Sequence, residues 1–316
     1  MGSTFDRGAY LERIKLSVAP TDASLAFLDT LLQHHRQSIP FENLAVCGAF
    51  PVSPAHVEDV SVERVSLDAD KIFQKLVVDN RGGYCFEQNA LLAAALRAFG
   101  YTVDTLSARA LFPIASTDPA APPAFEFTGL IHMILLVTVH NVVYLVDVGF
   151  GGRGQPPAAL ALNESSLVQA KGGEVYQMKQ VQIVRELNRP NTYTGGFQLS
   201  EPGKDLSTPT LWALYYKPKL DDEFRVSYVF SSTDSMAHAD YLPSNWFCST
   251  SPKSPLAPHV VCVLRTERGL KCVHDMTFKH LECGEWIEST TLESKEALLD
   301  VLKSHIGLVP PAHDSV

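Results

Sequence analysis

Residues 131–150 carry two almost wholly apolar runs, IHMILLVTVH and VVYLVDVGF, which meet at His140-Asn141. Neither run has a helical period and both are short, so they read as strands, and the two-residue gap predicts a tight antiparallel hairpin. A turn at His140-Asn141 sets Val139 opposite Val142. It therefore sets His132 opposite Gly149 and diagonal to Asp147, on one face of the sheet. Diagonal neighbours lie about 7–8 Å apart at Cα, within reach of an imidazole and a carboxylate. A carboxylate in so apolar a strand is costly unless it is paired, so His132 and Asp147 are expected to meet. Taken alone, such a pair also admits a structural role as the lesser alternative.

Composition supports a packed core around this hairpin. The 316 residues are 46% hydrophobic and 19% charged, enough for about two domains by length. A net charge of −9 is the wrong sign for a protein devoted to nucleic acid or anionic lipid. No apolar run approaches the roughly 18 residues of a membrane span, and MGSTFDRGAY lacks a secretory core, so a cytoplasmic chain is expected. The six cysteines, Cys47, Cys85, Cys248, Cys262, Cys272 and Cys283, contain no C-x-x-C pair. Neither a metal site nor a disulfide framework is indicated.

The first hundred residues carry helical signals: Tyr10-Leu11-Glu12-Arg13-Ile14, then Thr21-Asp22 ahead of Leu25, Phe27, Leu28, Leu31 and Leu32. They predict a helical bundle. From Tyr101 the pattern changes to strands (YTVDTLSARALF, the hairpin, then 174–185 and 192–199), which predicts a β domain. PIASTDPAAPP, residues 113–123, reads as an exposed insertion. The last third alternates strands, HVVCVLRTE and GLKCVHDMTF, with a terminal helix from Leu292 to His305, a smaller α/β unit.

One cysteine stands apart. Arg81-Gly82-Gly83-Tyr84-Cys85 leads into a helix that is apolar at Leu91, Leu92, Ala95, Leu96 and Phe99 and stops at Gly100. Cys85 thus occupies the first helical turn, where unpaired N–H groups and the macrodipole favour a thiolate. The glycine pair implies close backbone approach beside it. A thiolate nucleophile needs a base, and the base needs an orienting group. His132 and Asp147 supply both.

With these residues in view, the chain resembles the arylamine N-acetyltransferase family, marked by R-G-G-[aromatic]-C before a helix, T-G-x-x-H on a strand and D-x-G-F-G after it. The resemblance extends through Tyr10 to Ile14, Pro40-Phe41-Glu42-Asn43-Leu44, and Asn245-Trp246-Phe247-Cys248-Ser249-Thr250-Ser251-Pro252. It implies an α+β fold with a papain-like cysteine-enzyme core. The parts are an N-terminal helical bundle (1–100) carrying the nucleophile, a central β-barrel (101–210) carrying His132 and Asp147, and a C-terminal α/β lid (211–316). It implies Cys85, His132 and Asp147 as the triad and Thr128 and Gly129 as coenzyme A contacts, although Thr-Gly is also common in plain turns. Phe150, Phe247 and Leu256 match the wall of the acceptor pocket. Asn89, one turn after Cys85, is placed to hydrogen-bond the triad; Arg81 and Glu42 match a structural pair.

Three departures stand out. The interval from Cys85 to His132 is 47 residues, stretched by the Pro-rich insertion, Phe247 stands where many members have Tyr, and Leu256 stands where they usually have Phe. The implied activity is ping-pong acyl transfer from a coenzyme A thioester to an arylamine or arylhydrazine, a xenobiotic-type reaction. Acetyl-coenzyme A is the expected co-substrate, with propionyl- and malonyl-coenzyme A as alternatives, and no tightly bound cofactor is implied. Lys217, Lys219, Arg153 and Lys253 are candidates for the coenzyme's phosphates. The rivals are a cysteine protease or transglutaminase-like hydrolase with the same triad, and a non-catalytic scaffold.

Overall fold

A computed structural model describes residues 5–17, 22–47, 64–114, 124–187, 195–203 and 209–308. Most of the Pro-rich insertion, residues 115–123, lies outside these. The N-terminal part holds helices α1 (Arg7–Arg13), α2 (Leu25–Ser38), α3 (Leu44–Cys47), α4 (Ala69–Phe73) and α5 (Cys85–Ala98), with a two-residue strand β1 (Phe41–Glu42) between α2 and α3. Three of the starts have a side-chain cap. Asp6 caps α1 through Ala9 N at 3.0 Å, Ser24 caps α2, and Asp68 accepts from Asp70 N and Lys71 N at 3.1 Å ahead of α4.

The larger sheet comprises β2 (Thr102–Pro113), β3 (Ala124–Phe127), β4 (His132–Val139), β5 (Val142–Val146), β6 (Leu160–Ala161), β7 (Leu167–Gln169), β8 (Val175–Leu187), β9 (Gly195–Ser200), β10 (Thr210–Lys217) and β11 (Arg225–Ser235). Its order is β11-β10-β8-β9-β3-β2-β4-β5-β6, with β7 on β8. Since β11 also pairs with β2, the sheet curls back on itself as a barrel. Residues 210–235 thus belong by hydrogen bonding to this sheet, beyond the boundary at 210 expected from the sequence.

The hairpin has the expected register. Val139 faces Val142 and Leu135 faces Val146, and His140 and Asn141 both have positive φ, 47° and 65°, as a type I′ turn requires. The unbroken apolar run has its reason in two buried faces. Met133, Leu135 and Val137 pack with Phe86, Leu92 and Leu96 of α5, while Ile134 and Leu136 pack inward with Leu106, Tyr176 and Tyr228.

Next comes helix α6 (His238–Thr250), which no periodic pattern announced. A five-stranded sheet follows, formed by β12 (Val261–Arg265), β13 (Gly269–His274), β14 (Thr277–Glu282) and β15 (Glu285–Thr291), with β1 on its other edge. The expected terminal helix is α7 (Lys295–Val301) continued by a π-helical turn, Leu302–Ile306. It buries Leu298, Leu302 and Ile306 against Val273 and Phe278. In this sheet Phe41 pairs with Val263 and Glu42 with Cys262. Glu42 N also donates to Gly83 O at 3.0 Å, so β1 links the smaller sheet to the loop ahead of α5.

Candidate active site

The loop from Arg81 to Tyr84 is shaped by two buried carboxylates. Glu42 accepts from Arg81 Nη2 and from Leu44 N, both at 2.7 Å, and Glu87 pairs with Lys75 Nζ at 2.7 Å while Glu87 Oε2 caps Tyr84 N at 3.2 Å. Burial opposes ionisation of Glu42, but Lys75 and Arg81 outweigh it and hold the carboxyl below its ordinary value. The Arg81–Glu42 pair is therefore the structural tie expected. A Cβ on Gly82 would run into the Pro40 carbonyl, and one on Gly83 would lie 2.7 Å from the Glu87 carboxylate. Only the glycine pair allows this approach.

Cys85 emerges as the first residue of α5, buried, with Sγ 3.6 Å from Ile131 O. On β4, His132 points Nε2 at Asp147 Oδ2, 2.8 Å away. The other carboxylate oxygen is already satisfied, since Asp147 Oδ1 accepts from Asn89 Nδ2 at 3.0 Å and Gly149 N at 2.8 Å. An ionised carboxylate only accepts, so His132 Nε2 must carry a proton, and Nδ1 is the nitrogen left for the Cys85 thiol. Asn89 fastens the arrangement further, donating to Met133 O at 2.7 Å and accepting from Val148 N at 3.1 Å. Gly149 lets α5 and the hairpin touch: a Cβ there would lie 2.7 Å from Cys85 Cα.

The electrostatics follow from this packing. Burial disfavours an imidazolium, but the Asp147 charge and the hydrogen bonds to Asp147 and Cys85 prevail and push His132 up to about 10. Burial likewise disfavours the Asp147 carboxylate, yet His132, Asn89 and the Gly149 N–H hold it below its ordinary value. The arrangement stabilises a charged imidazolium beside a sulfur at a helix N-terminus.

The remaining expected residues are placed unevenly. Phe150 lies edge-on to His132, ring centroids 5.2 Å apart, and Phe247 and Leu256 pack, half-buried, on the core cluster that contains Cys85. Thr128 turns its hydroxyl to its own fold, accepting from Ala110 N at 3.1 Å and donating to Gly129 O at 2.8 Å, while Gly129 is exposed. Among the candidate cations, Lys219 pairs with Glu285, Arg153 lies 4.0 Å from Glu174, and Lys217 donates to Leu220 O at 3.0 Å. Tyr228 was missed. Its buried ring stands 5.1 Å from His132 and 5.3 Å from Phe150, and burial followed by the Asp147 charge holds its phenol well above the ordinary value. It sits in the apolar strand β11, where no local signal separates it from a core tyrosine.

An N-acetyltransferase family model matches residues 24–313. The chain is 30% identical over 306 residues to human arylamine N-acetyltransferase 1, covering 95% of this chain and 92% of that one. It superposes on the arylamine N-acetyltransferase of Mycobacterium marinum with a TM-score of 0.71 at 27% identity, covering 96% of this chain and 92% of that one. A structure of the same mycobacterial enzyme in complex with CoA gives a TM-score of 0.70 at 27% identity, with the same shares covered.

Proposed function

From the premise that this chain belongs to the arylamine N-acetyltransferase family, we propose that it transfers an acyl group from acyl-coenzyme A to an arylamine or arylhydrazine through an acyl-Cys85 intermediate. The observation that carries the reading is the 2.8 Å His132–Asp147 pair set beside Cys85 at the start of α5. The Cys85 thiolate attacks the thioester carbonyl, and N–H groups of the first helical turn meet the oxyanion. The carbon–sulfur bond of the donor breaks, and His132 protonates the departing coenzyme A thiolate. The amine nitrogen then attacks the acyl-cysteine, His132 takes its proton, and the Cys85 thiolate is regenerated. Asp147 keeps Nε2 protonated throughout and supports the imidazolium whenever Nδ1 also carries a proton.

Phe150, Phe247 and Leu256 are read as the acceptor wall, with Leu256 leaving more room than the phenylalanine usual there. Thr128 and Gly129 are read as the coenzyme contact. Arg109, which donates to Thr128 O at 3.2 Å, brings a further cation to that segment. The parts divide the work: the helical part supplies the nucleophile, the barrel, with residues 210–235 assigned to it by sheet pairing, supplies base and carboxylate, and the remaining C-terminal part supplies the lid. Acetyl-coenzyme A is the proposed donor, with propionyl- and malonyl-coenzyme A as bulkier alternatives.

The test is to incubate the protein with acetyl-coenzyme A alone and weigh it. An acetyl adduct on Cys85 that disappears when an arylamine is added is the expected result. Thioester hydrolysis with no lasting adduct would favour a hydrolase, and no reaction at all a scaffold.

A further inference from the structure

Away from the triad, two imidazoles and a carboxylate converge at one end of the smaller sheet. His274 ends β13, Asp275 sits in the turn to β14, and His259 lies just ahead of β12, the neighbouring strand. His259 Nδ1 is 2.9 Å from Asp275 Oδ2 and His274 Nδ1 is 3.3 Å from the same oxygen. One ligand atom from each residue lies within 4.8 Å of the others. The carboxylate is aimed by its backbone: Asp275 has φ 51°, Oδ1 accepts from Val260 N at 2.9 Å, and its own N–H donates to Val260 O at 2.8 Å. An oriented carboxylate facing two ring nitrogens is what a preorganised metal site provides.

The distances suit a small borderline cation. Bonds of about 2.0–2.2 Å in a tetrahedron put neighbouring ligand atoms about 3.3 Å apart, close to the two separations here. Two imidazoles and one carboxylate select Zn²⁺-type ions over Mg²⁺ or Ca²⁺, which prefer oxygen ligands. We propose that His259, His274 and Asp275 form a three-ligand site for a divalent ion such as Zn²⁺, with water as the fourth ligand. The side chains are 50%, 58% and 45% exposed, which leaves an open approach and room for that water. The ion clasps the start of β12 to the β13–β14 turn. That clasp adjoins the proposed acceptor wall, because Asn43 Nδ2 donates both to His259 O at 2.6 Å and to Leu256 O at 2.8 Å.

For the test, the full chain carrying Cys85→Ser is first alkylated with iodoacetamide so that neither position 85 nor an exposed thiol such as Cys283 can hold the ion. It is then titrated with Zn²⁺ by calorimetry and with Co²⁺ by visible absorption. The expected result is one Zn²⁺ per chain, a Co²⁺ spectrum without a thiolate charge-transfer band, and binding weakened at least about tenfold in each of His259→Ala, His274→Ala and Asp275→Asn. Asp275→Asn keeps the acceptor for Val260 N and tolerates the left-handed backbone, so circular dichroism should show it folded. Absence of binding to the alkylated protein, or binding unchanged in His274→Ala and Asp275→Asn, overturns the proposal. So does a thiolate band with Co²⁺.

Discussion

At the scale of single residues, the proposed chemistry depends on which nitrogen of His132 holds a proton. Asp147 decides this by presenting one occupied and one available oxygen. Asp147→Asn should leave a folded protein with kcat/KM lower by about 10³–10⁴-fold, because tautomer control and imidazolium support go together. The same change should be visible without turnover. The His132 Cε1–H resonance should titrate near pH 10 in the native protein, and its midpoint should fall in Asp147→Asn, where the Asp147 charge no longer opposes burial and only Cys85 still does. If the midpoint stays put, another group sustains the imidazolium. The sign for stability follows. His132 contributes fully below its ordinary value of 6.5, and its contribution is lost as pH rises through about 10. Asp147 contributes above its ordinary value of 3.8 and loses its contribution as pH falls through its depressed value.

At the scale of elements, the site is a contact between the start of α5 and the end of the hairpin, with Gly149 as the point of touch. Gly149→Ala forces a methyl against Cys85 Cα and the Cys85 carbonyl, backbone atoms that cannot rotate away. We expect kcat/KM to drop about 10²-fold with far-ultraviolet circular dichroism unchanged, since displacement by about 1 Å costs that much. Native activity in the variant would mean that helix and hairpin shift together. The same contact explains what was legible in the sequence. His140-Asn141 fixed one hairpin register, and with it the faces of His132 and Asp147, while helix periodicity and the glycine pair fixed the position of Cys85. Asn89 followed from the helical turn. Helix α6 did not, because Pro243 lies inside it and its exposed Leu242 and Trp246 blur any apolar stripe. Nor did Tyr228, carried to the site by pairing of β11 with the distant β2, or the His259–His274–Asp275 cluster, since the four residues between Arg265 and Leu270 leave the register of the β12–β13 hairpin open in the sequence.

At the scale of the molecule, the two sheets and the helical part meet at a buried charge network. Arg265 of β12 donates through Nη2 to Glu174 Oε2 and to Gln155 O, both at 3.1 Å, and to the Tyr176 hydroxyl at 3.3 Å. Arg36 of α2 lies close enough that burial and then the Arg265 charge lower it to about 10. Removing one partner of a buried pair leaves the other uncompensated, at a cost of about 3–5 kcal/mol. Arg265→Met should therefore lower the denaturation midpoint markedly, and adding Glu174→Gln should recover part of the loss. A double variant as unstable as the sum of the singles would mean that the two residues do not act as a pair. No helix among the described residues is long and apolar enough to cross a membrane.

The strand β1 has a consequence for the order in which the protein matures. Phe41-Glu42 leaves the ribosome long before its partner in the smaller sheet, Val261–Arg265, has been made. Contacts between such distant parts of a chain form slowly, after nearer ones have closed. A growing chain that already includes Cys85, His132 and Asp147 still lacks the strand that steadies β1, and through β1 the Gly83 backbone just before Cys85. Steadying of β1 thus comes after all three of these residues have been made, and a chain cut short before residue 261 is expected to turn over more slowly than the full chain while keeping Cys85, His132 and Asp147.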